Sequence, residues 1–137
     1  MSVRILIVDD HEIVRQGIRL LVQTRPHWEI CGEAGDGQEA VRLAKELRPD
    51  AIILDVTMPV MGGLGAASEI TKSNPACRVL IFTVDDSATL GKFAQRSGAQ
   101  GLVVKSRAAQ DLVEALETVL AGGTFFRNEF VAENQKR

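Results

Sequence analysis

Residues 51–55 read Ala-Ile-Ile-Leu-Asp, four apolar residues that run without a spacer into a carboxylate. A short run that is apolar at every position suits a strand covered on both faces, as in a parallel sheet. Working outward, similar runs recur at fairly even spacing, at residues 3–8, 29–33, 78–82 and 101–104. Those at 3–8 and 78–82 carry near-continuous Val, Ile, Leu and Phe. The run at 29–33 is flanked by Glu29 and Glu33 and reads as an edge strand.

Between the runs the apolar residues take a helical period. Val14, Ile18, Leu21 and Val22 share one face, as do Ala40, Val41, Ala44 and Leu47. Leu64, Ala67, Ser68 and Ile70 form a shorter case closed by Asn74-Pro75, and Ala88, Phe93 and Ala94 a weaker one closed by Gly98. The clearest is Leu112, Ala115, Leu116, Val119 and Leu120, closed by Gly122-Gly123. Strand and helix alternate five times, which implies an open parallel α/β sheet with helices on both faces and right-handed crossovers. The flavodoxin-like strand order 2-1-3-4-5 is one of the two common choices. From about residue 122 the chain leaves the pattern. Phe125, Phe126 and Phe130 are expected either to pack the tail back on the domain or to begin a linker.

With 137 residues, 45% hydrophobic and 25% charged, the chain has the composition of one soluble globular domain. Its apolar runs are too short to span a bilayer. Residues 3–8 lead directly into paired aspartates, without the layout of a signal peptide, so a cytoplasmic location and no membrane contact are expected. A formal charge of −2 gives no electrostatic case for nucleic-acid binding by these residues. Cys31 and Cys77 lie far apart in apolar contexts, which fits two reduced thiols rather than a zinc or redox motif.

In a sheet of this order, ligands bind beyond the carboxyl ends of the strands, at the switch in strand order. Here the first strand ends in Asp9-Asp10, the third in Asp55, the fourth in Thr83 and the fifth in Lys105. Strands one and three are neighbours, so Asp9, Asp10 and Asp55 converge on one rim. Carboxylates packed together repel unless something cationic intervenes. A hard divalent ion with oxygen ligands answers that need, and Lys105 adds a fixed positive charge. The set suits phosphoryl transfer to a carboxylate, with Asp55 as nucleophile and catalysis by positioning and electrostatics. A single aspartate after a strand is commonly a turn former or helix cap. Four strand ends that each carry the type one mechanism requires are harder to assign to capping.

At these residues the sequence resembles the receiver domains of two-component response regulators. The resemblance rests on Ile-Leu-Ile-Val-Asp-Asp-His at 5–11, Asp-Val-Thr-Met-Pro-Val-Met-Gly-Gly-Leu at 55–64, Thr83, and Gly-Ala-Gln-Gly-Leu-Val-Val-Lys at 98–105. It covers residues 3 to about 121. Asp-Asp-His at 9–11 and Ala-Gly-Gly at 121–123 look like the NarL/FixJ (LuxR-type) subgroup. The resemblance implies a CheY-like (βα)5 fold, Asp55 as phosphoacceptor, and Mg2+ (or Mn2+) held by Asp9, Asp10, Asp55 and the backbone carbonyl of Thr57. It further implies Thr83 and Lys105 in contact with the phosphoryl group, and a histidine kinase as donor. The protein is then a signalling switch rather than an enzyme, at most taking its own phosphoryl group from a donor and slowly losing it.

Four departures from the family pattern bear on tuning. Leu102 stands where an aromatic residue is frequent, so the switch needs another readout of Thr83. Val84 follows Thr83 where the family usually has a small residue, and its methyls are expected to crowd the route to Asp55. Lys105-Ser106 replaces Lys-Pro, and a cis bond to Ser106 would cost about 2.5–4 kcal/mol. Met61-Gly62-Gly63 replaces Met-Asp-Gly. Asp85 and Asp86 are expected to cap the fourth helix, with Asp85 a second candidate for influence on water near Asp55. His11 is read as a helix N-terminal residue beside the site.

The domain is expected to occupy 1–121 and a tail or the start of a linker 122–137, with no helix-turn-helix in these residues. A piece of a longer regulator is favoured over a stand-alone receiver, and DNA binding would then belong to the parent protein. A homodimer could use the first and fifth helices or the fourth and fifth. Three other functions compete with this reading. A haloacid-dehalogenase-type phosphatase needs a second Asp where Thr57 stands. A flavin module needs a phosphate loop where Asp9-Asp10-His11-Glu12 would repel one. A degenerate receiver, acting as a protein-interaction module without phosphorylation, is opposed by the intact site residues.

Overall fold

The computed structural model describes residues 2–56, 63–85 and 87–126. Thr57, Met61, Gly62, Asp86, Phe130 and the tail at 128–137, all of which carried expectations above, lie outside the described residues.

The near-continuous aliphatic runs form the middle of the sheet. β1 (Val3–Val8), β3 (Ala51–Asp55) and β4 (Arg78–Thr83) are parallel neighbours, with β2 (Trp28–Ala34) outside β1 and β5 (Gly101–Val104) beyond β4. The order 2-1-3-4-5 is the expected one, and the strand flanked by Glu29 and Glu33 is the edge. A sixth, two-residue strand extends it: β6 (Phe125–Phe126) pairs in parallel with β5, Gly101 opposite Phe125 and Leu102 opposite Phe126.

Successive strand residues point to opposite faces, so each strand feeds two apolar layers. Leu6, Val8, Ile52, Leu54, Val79, Ile81 and Leu102 face α2 (Gly37–Leu47), α3 (Gly63–Ser73) and α4 (Ala88–Arg96). Ile5, Ile7, Ile53, Leu80, Phe82 and Val103 face α1 (Glu12–Val22) and α5 (Ala108–Leu120). Each fully buried Ile or Leu contributes about 1.5–3 kcal/mol. Together they fix which strand ends meet at the carboxyl rim.

The helical faces follow the sequence pattern except in α4. There Gly91 and Ala94 are buried and Leu90 packs against the core, whereas Phe93 is 48% exposed. Positions 90, 91 and 94 form a tighter helical stripe than 88, 93 and 94, and the large ring at 93 falls outside it. The cap of α4 is not the expected Asp85. Ser87 is the N-cap residue, its hydroxyl accepting from the Leu90 N–H, and Asp85 accepts from the Ser87 N–H one step earlier. α2 opens on Asp36, which accepts from the Glu39 N–H, and closes on Arg48 in the left-handed region at φ 47°.

Two expectations follow. A Cβ on Gly101 would lie 2.7 Å from Leu80 Cδ1 and 3.0 Å from the Phe125 carbonyl oxygen. The Leu80 tip can swing aside; the Phe125 backbone has to move. Gly101→Ala should therefore lose about 1–3 kcal/mol of stability in urea unfolding and weaken amide protection at Phe125; unchanged protection would contradict this. The second concerns the Cys77 thiol, which burial pushes up from about 9 to about 12. The folded state then keeps a proton that the unfolded chain releases, so stability from this group is intact below about pH 9 and declines toward pH 12. Cys77→Ala should flatten that alkaline decline relative to the unmodified protein in denaturation curves at pH 8 and pH 11.

Candidate functional site

β1, β3, β4 and β5 each deliver a polar residue as they leave the sheet. The Asp9 carboxylate and the Asp55 side chain are both fully buried, as is Thr83. The 3₁₀ turn Lys105–Arg107, immediately after β5, turns the lysine back over the rim. Its ammonium donates to Asp9 Oδ2 at 2.8 Å and to Asp55 Oδ2 at 3.3 Å, and it stands 5.7 Å from the Phe82 ring centroid. Burial alone would make Lys105 release its proton more readily. The Asp9 hydrogen bond and the charges of Asp55 and Asp9 outweigh that and hold its pKa above the ordinary lysine value.

Asp9 is held at every atom that can bond. Its N–H donates to the Ala34 carbonyl at the end of β2. Its Oδ1 accepts from the His11 N–H at 2.9 Å and lies 3.1 Å from His11 Nδ1. Asp10 is more exposed, and its carboxylate meets His11 Nδ1 at 3.0 Å. His11 thus occupies the N-cap position of α1 without capping it, because its ring turns toward the two aspartates. Asp9, Asp10, His11 and Asp55 each present a ligand atom within 4.8 Å of the others. The sequence placed His11 beside this cluster; its ring nitrogen is also part of it.

The donor set is mostly carboxylate oxygen, partly buried and anionic beyond what one lysine neutralises, so it fits a hard divalent cation. Asp9, Asp10 and Asp55 could hold such an ion. The Thr57 carbonyl lies outside the described residues. Thr83 Oγ1 accepts from the Asp85 N–H at 3.1 Å, which ties Asp85 to the site through its backbone. Val84 is 71% exposed and stands on the solvent side of the Thr83 turn, while Leu102 is buried among the α4-side core residues.

One group was not singled out from the sequence. Arg15, on α1, donates from Nη1 to the Asp9 carbonyl at 2.5 Å, from Nε to Glu33 at 2.9 Å and from Nη2 to Glu12 at 2.7 Å. Arg19 donates to Glu33 at 2.6 Å and Glu12 at 3.1 Å, and those bonds raise its pKa and lower that of Glu12. The available signal was the spacing of Glu12, Arg15 and Arg19, which places all three along one stripe of the first helix.

The response regulator receiver domain model matches residues 5–117. Among curated proteins, the transcriptional regulatory protein LnrK of Bacillus subtilis is 37% identical over 96% of this chain and 60% of its own length. The response regulator GacA of Pseudomonas aeruginosa is 33% identical over 88% of this chain and 56% of its own length. The chain thus spans between half and two thirds of these relatives. A solved two-component response regulator of the LuxR family from Aurantimonas superposes with a TM-score of 0.92 at 38% identity, over 100% of both chains. No helix among the described residues is long and apolar enough to cross a membrane. The strand order, the acidic rim and these similarities lead to one conclusion: the chain belongs to the response regulator receiver domain family, and its relatives are regulators of the LuxR/NarL type.

Proposed function

We propose that Asp55 is a phosphoacceptor that takes its phosphoryl group from a histidine kinase and passes the signal to a transcriptional output lying outside these residues. One observation carries the reading: two fully buried carboxylates, Asp9 and Asp55, share the Lys105 ammonium at the ends of adjacent strands. A carboxylate oxygen of Asp55 attacks phosphorus, the O–P bond forms, and the P–N bond of the donor phosphohistidine breaks. Its electron pair stays on the departing imidazole, which takes up a proton.

Mg2+ (or Mn2+), held by Asp9, Asp10, Asp55 and the Thr57 carbonyl, would supply further positive charge against the phosphoryl oxygens. Lys105 supplies the fixed positive charge, already aimed at Asp55, so little reorganisation is needed as charge moves onto those oxygens. The hydroxyl of Thr83, now accepting from Asp85, can turn to donate to a phosphoryl oxygen. If that donation draws the oxygen toward Asp55, the Asp85 N–H loses its acceptor and the turn leading into α4 loosens. The α4–β5 surface is therefore the expected region of response, with buried Leu102 following the packing rather than swinging through it. Homodimerisation of the phosphorylated protein, and DNA contact through a further domain, belong to the same reading.

Incubation with acetyl phosphate and Mg2+ should add one phosphoryl group by intact mass, and neither Asp55→Asn nor chelated wild-type protein should gain it. An adduct that persists in Asp55→Asn would contradict the assignment. Val84→Ala should shorten the time to phosphorylation or to hydrolysis; equal rates in both proteins would remove Val84 as a tuning residue.

A further inference from the structure

Arg15 makes three hydrogen bonds to three different segments, and one of them is to the backbone of the acidic cluster. Its guanidinium, with only 19% of the side chain exposed, bonds the Asp9 carbonyl, Glu33 at the end of β2 and Glu12 in the first turn of α1. Glu33 is in turn gripped through both oxygens by Arg19, at 2.7 and 2.6 Å. Arg15, Arg19, Glu12 and Glu33 form a charge-neutral brace. A planar fork held on three acceptors has little freedom left.

The atom this brace holds is decisive. The Asp9 carbonyl belongs to the peptide unit that joins Asp9 to Asp10. The Asp9 N–H is already fixed on Ala34. With the carbonyl also fixed, the Asp9–Asp10 peptide plane cannot turn, and Asp10 keeps only its own φ and side-chain torsions. Among the described residues, the Asp10 carboxylate has one ion-pair partner, the His11 ring. Its direction therefore depends on that plane.

We infer that Arg15 is a positioning residue that aims Asp10 for divalent cation binding, acting through the Asp9 carbonyl rather than by touching the ion. The inference rests on the cation reading of the site proposed above. It makes a prediction whose sign opposes simple electrostatics. Arg15 is a positive charge close to a cation site, so by Coulomb's law alone its removal would tighten Mg2+ binding. A positioning role predicts the reverse, because residues that orient metal ligands typically control affinity by about 10–100-fold.

The test is Mg2+ affinity by isothermal titration calorimetry in unphosphorylated protein, with the melting temperature and the Asp10 and His11 amide chemical shifts recorded alongside. Four proteins are compared: wild type, Arg15→Gln, Arg15→Lys, and Arg42→Gln, an exposed arginine paired with Glu39 and Glu46 of its own helix. The expected result is affinity at least about tenfold weaker in Arg15→Gln, with both amides shifted in the metal-free state. Arg15→Lys, which keeps the charge and one donor toward Asp9, should recover part of the loss, and Arg42→Gln should match wild type. Equal or tighter binding by Arg15→Gln would overturn the inference, as would an equal loss in Arg42→Gln. Should Arg15→Gln fail to fold, Arg15→Lys carries the test: affinity and amide shifts identical to wild type would overturn it. Wild-type protein with no Mg2+ affinity would bring down the cation reading itself, and the inference with it.

Discussion

The Lys105 ammonium lies between Asp9 and Asp55, 2.8 Å from one and 3.3 Å from the other. Both carboxylates have lost all contact with solvent. A buried charge without a partner costs several kcal/mol, so the two acids can occupy this rim only with cationic compensation. The lysine reaches them because β5 ends one residue before it and the 3₁₀ turn folds the chain back. The β5 position is set by pairing with β4, and β4 by pairing with β3, which carries Asp55. The aliphatic layers on either side thus serve the site by holding four strand ends in register.

One lysine does not finish the neutralisation. Asp10 adds a third carboxylate to the cluster, and His11 adds a ring nitrogen. What remains is an anionic rim that favours a cation, with Asp55 buried beneath it and the Thr83 hydroxyl at the end of the neighbouring strand. The Thr83 hydroxyl is engaged with the backbone of the following turn. Under the proposed phosphorylation of Asp55, drawing this oxygen inward would take it from the Asp85 N–H, a physical route from a local charge change to the β4–α4 connection.

Much of this is legible in the sequence. Strands apolar at every position announced a sheet buried on both faces, and the acidic, hydroxyl and lysine residues at four strand ends announced the rim. What escaped was three-dimensional. The α4 face was misread because a large ring at position 93 looks like core, while the residues that pack are Gly91 and Ala94. The sixth strand was not foreseen: the phenylalanines at 125, 126 and 130 fitted a tail packed back on the domain or the start of a linker, because two adjacent phenylalanines have no period. They sit on β5 because Gly101 lacks the Cβ that would strike Phe125. The Arg15 brace was missed because its value lies in one backbone carbonyl, and sequence spacing shows side chains in line but not what they grasp.

The proposed reaction requires Asp55, and not its equally buried neighbour Asp9, to be the acceptor. Asp9 is bonded through both carboxylate oxygens, to His11 and to Lys105, and through its backbone on both sides. Borohydride reduction of the phosphorylated protein, followed by peptide mass mapping, converts an aspartyl phosphate into a marked residue at its own position. The mark is expected at residue 55 alone; a mark at Asp9 or Asp10 would contradict the assignment of Asp55 as acceptor.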